Sequence, residues 1–280
     1  MFFSSSSSST TTTTTVNNNQ LFQYKICPFS NIAKVVLTYQ QVPFQSVEVN
    51  PLTKAELKFS KDYRKVPIVV EQQDQRQWNG TEEILSHFAT NNNDVDDPEF
   101  STSPSSQQWQ DFARNKLAPL LYPNLCNTLS NSFRAFDYVH SVSHFSTLQR
   151  YSIQYLGSIA MYFAASKIKK KYQLDDVRAA LEDALEELER GLATNDDNSD
   201  GGMLFLRTAT HSFDDSRPPP PPPPQPKPHL GDLAVFGVLK GLEGLPILTQ
   251  EVLLEDRFPR ICQWYATMDG LVESKRKDYQ

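Results

Sequence analysis

Cys27 is the residue of this sequence best placed to do chemistry. It follows residues 21–26, whose alternating apolar side chains predict a strand, and precedes Pro28, whose fixed φ suits the first position of a helix. A helix start stabilises a thiolate and can lower a thiol pKa from about 8.5 toward 3.5–7.5, and Lys25 adds a nearby positive charge. The sequence therefore predicts a reactive, ionised thiol, with an inert, half-buried cysteine as the alternative.

The other two cysteines lie in different surroundings. Cys126 falls in a Leu- and Tyr-rich stretch and Cys262 lies beside Trp264 and Tyr265, so we predict core or surface thiols. Three widely spaced cysteines cannot form a disulfide scaffold, and they suit a reducing compartment. The five histidines have no metal-ligand spacing, so no metal site is predicted.

The elements around Cys27 predict a small mixed sheet with helices. The predicted elements are a strand at 21–26, a helix at 28–40, a strand at 45–49, a short helix at 55–58, a strand at 66–70, a strand around Trp78 and a helix at 82–89.

The second half of the chain has no convincing strand pattern and is predicted to be helical. The helical segments are 109–121, 133–140, 147–170, 175–192, 230–244 and, less clearly, 257–271. Because histidine caps poorly, His229 predicts a slightly frayed start for the helix that follows it.

Composition divides the chain into folded and low-complexity parts. The predicted organisation is a disordered Ser/Thr/Asn tail at 1–20, an α+β domain at 21–90, a linker at 91–108, and an all-helical domain at 109–280 with a disordered polyproline insert at about 195–228. The insert is a spacer or a polyproline II segment for an SH3- or WW-type partner, and the tail is either plain disorder or an organelle transit peptide.

Charge and hydropathy exclude two classes of partner. The chain has 27 Lys and Arg against 33 Asp and Glu, a net charge of −6, which argues against nucleic-acid binding. No apolar stretch reaches the roughly 18 residues of a membrane span, and no signal peptide is visible at the start. We expect an intracellular protein, cytoplasmic or peripheral at a membrane, with membrane association only through a missing segment or a partner.

Two short runs carry a resemblance to known folds. Residues 25–30 (KICPFS) resemble the Lys-x-Cys-Pro-[Tyr/Phe]-[Cys/Ser] signature of glutaredoxins. Residues 63–68 (YRKVPI) resemble the segment before the third strand of thioredoxin-like folds, where the proline is cis. With the helical second domain, the resemblance implies an α+β protein: a thioredoxin-like N-terminal domain followed by an all-α domain like the C-terminal part of glutathione S-transferases.

A longer set of runs is similar to the membrane-associated prostaglandin E synthase type 2 family. These runs are 24–29 (YKICPF), 47–51 (VEVNP), 55–60 (AELKFS), 63–68 (YRKVPI), 136–138 (FDY), 160–162 (AMY) and 230–239 (LGDLAVFGVL). The resemblance implies that Cys27 is the catalytic cysteine and that Tyr24 helps to orient or activate it. From the residues alone, Tyr24 is equally well a core aromatic on the first strand.

The same resemblance implies a glutathione site. The backbone of Val66, just before Pro67, matches the residue that holds glutathione. Gly80 and Thr81 fall on the family's acidic–Ser pair, which binds the γ-glutamyl group. Lys25 is the cation that we favour for the glycine carboxylate of glutathione.

The chain departs from the family pattern at three positions. Ser30 replaces the second cysteine of the motif, so thiol chemistry must be monothiol, with glutathione as the second sulfur. Gly80 removes the acidic member of the pair, which weakens the case for tight glutathione binding, while Thr81 keeps a capping hydroxyl. Pro119 stands where the family has a histidine near a haem pocket, which argues against haem.

By this resemblance we expect an isomerase that converts prostaglandin H2, a small lipid endoperoxide, to prostaglandin E2 with a reactive thiol, and a homodimer is compatible with it. One alternative is a monothiol glutathione-dependent thioltransferase or glutathione transferase. The other is a non-catalytic binding module, which Gly80 favours most. Both enzymatic interpretations require an accessible, ionised sulfur at Cys27 and a cis Val66–Pro67 peptide.

Overall fold

The computed structural model describes residues 19–89, 99–193, 205–206 and 227–277. Most of the predicted tail and most of the polyproline insert lie outside the described residues. The first domain consists of β1 (Asn19–Gln23), α1 (Pro28–Tyr39), β2 (Phe44–Glu48), a 3-10 turn (Ala55–Leu57), β3 (Ile68–Val70), β4 (Gln77–Asn79) and α2 (Gly80–Phe88).

The four strands form one mixed sheet in the order β2-β1-β3-β4. β1 runs parallel to β2 and antiparallel to β3, and β3 runs antiparallel to β4. Because side chains alternate along a strand, Leu21 packs beneath α1 and α2 while Phe22 joins a second cluster on the opposite face. The predicted α+β class and the element order of this domain are confirmed.

β1 differs from its prediction at both ends. It begins at Asn19, which pairs with Phe44, so the first strand starts two residues inside the segment predicted as a tail. It ends at Gln23 because the chain then turns, and the Cys27 N–H donates to the Tyr24 carbonyl oxygen at 2.9 Å.

The rest of the described chain is helical. Its helices are α3 (Glu99–Thr102), α4 (Pro104–Asp111), α5 (Ala118–Leu125), α6 (Leu129–Ala135), α7 (Thr147–Ser152), α8 (Ser158–Lys171), α9 (Val177–Ala193), α10 (Leu230–Lys240) and α11 (Pro259–Lys277). π-helical turns at Phe112–Leu117 and Ile153–Gly157 join α4 to α5 and α7 to α8. This confirms the all-helical prediction.

The second half of the predicted linker is itself helical. α3 and α4 occupy residues that the composition assigned to the linker. Ser103 caps α4 by accepting a hydrogen bond from the Ser106 N–H at 3.2 Å, and Pro104 takes the first helical position. Ser followed by Pro is a helix-start signal, which the polar composition of this stretch obscured.

The predicted frayed start of α10 is wrong. His229 Nδ1 accepts from the Asp232 N–H at 3.1 Å, and Asp232 returns the bond by accepting from the His229 N–H at 3.0 Å. The buried Asp232 carboxylate also accepts from the Leu206 N–H and from the Trp264 indole. A histidine held by this network caps the helix as a smaller polar residue would.

α10 crosses directly over α1, the helix that carries Cys27 at its start. Residues 230–239 of α10 are all buried. A Cβ atom at Gly237 would lie 2.6 Å from the Ile32 Cα atom, so the two backbones touch at this point. The helical domain therefore sets the position of α1 through a contact that only glycine permits.

We predict that Gly237→Ala destabilises the protein by about 1–3 kcal/mol, because the added methyl group must push α10 away from α1. The matched control is Gly270→Ala on α11, where an added Cβ meets nothing within 4 Å. That change should be neutral or should stabilise by up to about 1 kcal/mol. Urea unfolding of both variants checks the pair, and equal stability of the two variants would contradict the packing described here.

Candidate active site

Cys27 lies at the junction of the sheet and α1. It is the N-cap residue of α1, and Pro28 takes the first helical position, as the sequence predicts. Asn31 holds the preceding turn: its Nδ2 atom donates to the Lys25 carbonyl oxygen at 2.7 Å and to the Cys27 carbonyl oxygen at 2.9 Å. These bonds fix where the sulfur points relative to the helix end.

The Cys27 side chain is buried, with only 6% of the residue exposed. Burial raises the pKa of the Cys27 thiol above its ordinary value, although the hydroxyls of Ser30 and Tyr122 and the N–H groups of Ser30 and Phe29 lie close to the sulfur and act in the opposite direction. The prediction of an exposed thiol with a lowered pKa is therefore wrong. The helix start supplies donors, as expected, but α5 places Tyr122 beside the sulfur, and removal from water outweighs those donors.

Tyr24 lies close to Cys27, as predicted. Its ring packs partly buried beside Phe22 and Val66. Burial, followed by the negative charges of Cys27 and Glu48, raises the pKa of Tyr24 to about 12. Tyr24 is thus a protonated phenol at neutral pH, able to donate a hydrogen bond but not to act as a base.

Glu48 is a buried carboxyl group near the same cluster, and the sequence analysis did not assign it a role. Its Oε1 atom accepts from the Lys25 N–H at 2.9 Å, its Oε2 atom accepts from the Gln23 side-chain amide at 3.5 Å, and the Tyr138 hydroxyl lies close to the carboxyl group. Burial raises the pKa of Glu48 to about 7 even though these hydrogen bonds and the charge of Lys34 lower it. The site therefore contains one group that can exchange a proton near neutral pH.

The Val66–Pro67 peptide is cis, as predicted. The Pro67 carbonyl oxygen accepts from the Gly80 N–H at 2.9 Å. Among the described residues, neither the N–H nor the carbonyl group of Val66 has a hydrogen-bond partner. An extended peptide can pair with such a free backbone edge, as an added strand does.

Gly80 and Thr81 begin α2, close to this edge. Gly80 has φ +74°, and a Cβ atom there would lie 3.0 Å from the Tyr63 hydroxyl. The prediction that Thr81 caps α2 is wrong: Asn79 is the N-cap residue, and Thr81 lies inside the first turn. The Thr81 hydroxyl instead donates to the Phe29 carbonyl oxygen at 3.2 Å, which ties α2 to the start of α1.

The structure places all of the predicted site residues but one around Cys27. Tyr24 lies near Cys27, Thr81 is hydrogen-bonded to the start of the helix that Cys27 caps, and Val66, Pro67 and Gly80 form the adjoining backbone edge. Lys25 is the exception, because it is exposed and lines a neighbouring cleft. Tyr122, Tyr138 and Glu48 complete the surroundings of the thiol.

These surroundings fit glutathione in part and do not fit haem. The free edge at Val66 and the start of α2 suit the backbone and the γ-glutamyl carboxylate of the tripeptide. Pro119, in the first turn of α5, has no side-chain atom that could bind a haem iron. Across the part of the chain that the structure describes, no group of three or more His, Cys, Asp or Glu is placed to hold a metal ion.

Over the ranges that the structure covers, no helix combines the length and the apolar character that crossing a membrane requires.

The first domain matches the model of a known protein family. Residues 21–96 match the family model of the glutathione S-transferase N-terminal domain. The fold of the whole chain is similar to Ure2p in complex with glutathione (TM-score 0.53, 13% identity, 94% of each chain) and to FzlA from C. crescentus (TM-score 0.52, 16% identity, 92% of this chain and 91% of that one). The chain therefore has a glutathione S-transferase-like fold, with a thioredoxin-like domain followed by a helical domain.

Two curated relatives extend the likeness over most of the chain. Prostaglandin E synthase 2 of Mus musculus is 27% identical over 297 residues, covering 90% of this chain and 70% of the relative. Prostaglandin E synthase 2 of Danio rerio is 26% identical over 291 residues, covering 89% and 69%. The resemblance to the prostaglandin E synthase type 2 family is thereby confirmed.

Glu48 should make stability depend on pH in a defined direction. The pKa of Glu48 is about 7 in the folded protein against an ordinary 4.5, so its contribution to stability is fully present below pH 4.5, falls as pH rises from 4.5 to 7, and changes little above 7. Relative to Glu48→Gln, the wild-type protein should lose about 3 kcal/mol between pH 4 and pH 8.

The measurement is urea unfolding of both proteins at a series of pH values. The control is Glu255→Gln, at an exposed position, for which the difference from wild type should stay flat. A flat difference for Glu48→Gln as well would show that Glu48 ionises normally in the folded protein.

Proposed function

We propose that this protein is a thiol-dependent isomerase of the prostaglandin E synthase 2 type, with Cys27 as the nucleophile and a lipid endoperoxide as the substrate. The observation that carries the proposal is the cluster around the sulfur: a cysteine at a helix start, close to the hydroxyls of Tyr122 and Ser30 and next to Tyr24. The relatives named prostaglandin E synthase 2 support the choice of reaction.

The reaction needs a nucleophile because the weak bond of an endoperoxide is its O–O bond. The Cys27 thiolate attacks the oxygen on carbon 9, the O–O bond breaks, and the oxygen on carbon 11 takes up a proton to become the hydroxyl. A base then removes the proton on carbon 9, the carbonyl forms there, and the S–O bond breaks with its electron pair returning to sulfur. Atoms and electrons balance without an oxidant or reductant.

The protonation states around Cys27 suit these proton transfers. Burial raises the pKa of Tyr122 and Tyr138 well above the ordinary value, so both remain donors, as Tyr24 does, and can supply the proton to the alkoxide. Glu48 is the base that we assign to the proton removals, since its pKa is about 7 and Tyr138 lies close to it.

The proposal requires that the substrate can reach the buried Cys27 sulfur. The thiol is buried and its pKa is raised, so the cover over Cys27 must open for the substrate to enter and for the thiol to ionise. Tyr122 belongs to α5 of the helical domain, whereas Cys27 starts α1 of the first domain. A shift between the two domains would therefore expose the sulfur.

Glutathione is the second thiol that we propose for this protein. The free Val66 edge supports binding of its peptide backbone, and the start of α2 supports binding of its γ-glutamyl carboxylate. Ure2p, whose fold is similar, was solved in complex with glutathione. Bound there, glutathione would supply a free thiol beside Cys27.

Two other functions follow from particular observations. Ser30 lies close to the sulfur in place of a second cysteine, which favours a monothiol glutathione-dependent thioltransferase or transferase. The burial of Cys27 together with Gly80 in place of an acidic residue favours a non-catalytic binding module.

Turnover separates the three functions. Purified protein should convert prostaglandin H2 to prostaglandin E2, and Cys27→Ser should lower the rate by about a hundredfold or more while Cys262→Ser leaves it unchanged. Chromatography with mass detection measures the product. If the protein reduces a glutathionylated peptide faster than it isomerises the endoperoxide, it is a thioltransferase. If it turns over neither substrate, it is a binding module.

Location and assembly are further proposals. The three cysteines are free, which suits a reducing, intracellular compartment, and cell fractionation tests this. Large apolar side chains are exposed along α7 and α8; they are Leu148, Tyr151, Tyr155, Leu156, Ile159 and Phe163. We propose that a second copy of the chain covers this face, and sedimentation velocity showing a monomer at micromolar concentration would refute that.

A further inference from the structure

A cleft of about 750 Å³ opens between α1 and the helical domain. The first domain lines it with Lys25, Ile26 and one face of α1. The helical domain lines it with the end of α6, the turn after α10 and the last turns of α11. Cys27, Tyr24 and Val66 do not line it, but Tyr138 does, so this cleft adjoins the thiol site without including the sulfur.

Five cationic side chains line the cleft against three carboxylates. Two of the cations are neutralised within the protein. Lys240 pairs with Glu243 at 2.8 Å and with Asp269 at 2.6 Å, and Arg276 pairs with Glu273 at 3.3 Å.

The other three cations are Lys25, Lys34 and Arg134. Over the described residues, their side chains have no ion-pair or hydrogen-bond partner. The third carboxylate of the lining, Asp137, accepts a hydrogen bond from the Gln154 side chain at 2.6 Å. The cleft thus carries positive charge that no neighbouring acidic side chain pairs with.

Lys34 is the cation with the strongest need for a partner. It lies partly buried on α1, and burial lowers its pKa, with the charges of Arg276 and Lys25 adding to the effect. Glu48 and Glu243 act in the opposite direction without contacting the ammonium group. A partly buried cation among other cations is costly, and a bound anion would offset that cost.

The cleft is too large and too apolar for a small inorganic anion alone. Ile26, Val35, Leu245, Pro246 and Val272 contribute apolar surface next to the cations. Its volume lies within the roughly 300–1,000 Å³ of sites that hold small organic ligands.

We propose that this cleft binds an amphipathic carboxylate: an anionic head group held by Lys34, Lys25 and Arg134, with an aliphatic chain on the apolar wall. The ligand chemistry is that of a fatty acid. The site does not require the Cys27 sulfur, because the cleft shares only Tyr138 with the surroundings of the thiol and the sulfur does not line it.

The test is isothermal titration of the full chain with dodecanoate, and with dodecan-1-ol as the neutral probe. Wild-type protein should bind dodecanoate, and Lys34→Met should lower the affinity about tenfold or more, because the charge-assisted contact is lost. Lys167→Met, at an exposed position on α8, is the matched control and should bind as the wild type does. Dodecan-1-ol should bind more weakly, and equally to all variants.

Arg134→Gln gives a second route if the Lys34 variant does not fold. Arg134 is exposed on α6 and reaches the cleft from the opposite side, so its loss should also weaken dodecanoate binding. No binding to the wild-type chain, or unchanged affinity in both variants, overturns the proposal.

Two further arms identify the source of the carboxylate and separate this inference from the proposed function. Competitive inhibition of endoperoxide turnover by dodecanoate would assign the cleft to the carboxylate end of the lipid substrate. Binding without inhibition would assign it to a free fatty acid. Cys27→Ser should retain dodecanoate binding, so the binding result can be interpreted even if the thiol chemistry fails. Loss of binding in that variant would contradict a site that does not require the sulfur.

Discussion

The packing of the Tyr122 hydroxyl close to the Cys27 sulfur is the interaction on which the site depends. It joins Cys27, the N-cap residue of α1, to Tyr122 on α5, and it therefore links the two domains at the reactive atom. The helix start offers donors that stabilise a thiolate, while burial opposes any charge on sulfur. Burial is the larger effect here, so the closed site holds a neutral thiol.

Around a neutral thiol, the neighbouring phenols act as hydrogen-bond donors. The phenols around it have raised pKa values and stay protonated, so they stabilise developing negative charge by donation rather than by taking protons. Glu48 alone in this cluster has a pKa near neutrality, and it reaches the site through Lys25 and Tyr138. Reactivity in such a site is controlled by access to the sulfur.

Local signals allowed much of the fold to be predicted from the sequence. Cys27-Pro28 marks the start of α1 because proline suits that position, and the alternation around Phe22 marks the first strand. The start of α4 was missed because polar composition outweighed the Ser103-Pro104 signal. The network at His229 was missed because its acceptor, Asp232, is fixed by distant partners that no local pattern shows.

The candidate site was predictable in position but not in electrostatics. Resemblance located Cys27, Tyr24 and Val66, yet the pKa of the sulfur depends on Tyr122, which only tertiary packing brings near.

The most direct test of the account follows the 13C chemical shift of the Cys27 Cβ atom against pH. The signal is assigned by its loss in Cys27→Ser. A midpoint above the ordinary thiol value of about 8.5 is expected, and a midpoint below about 7 would contradict the neutral, covered thiol.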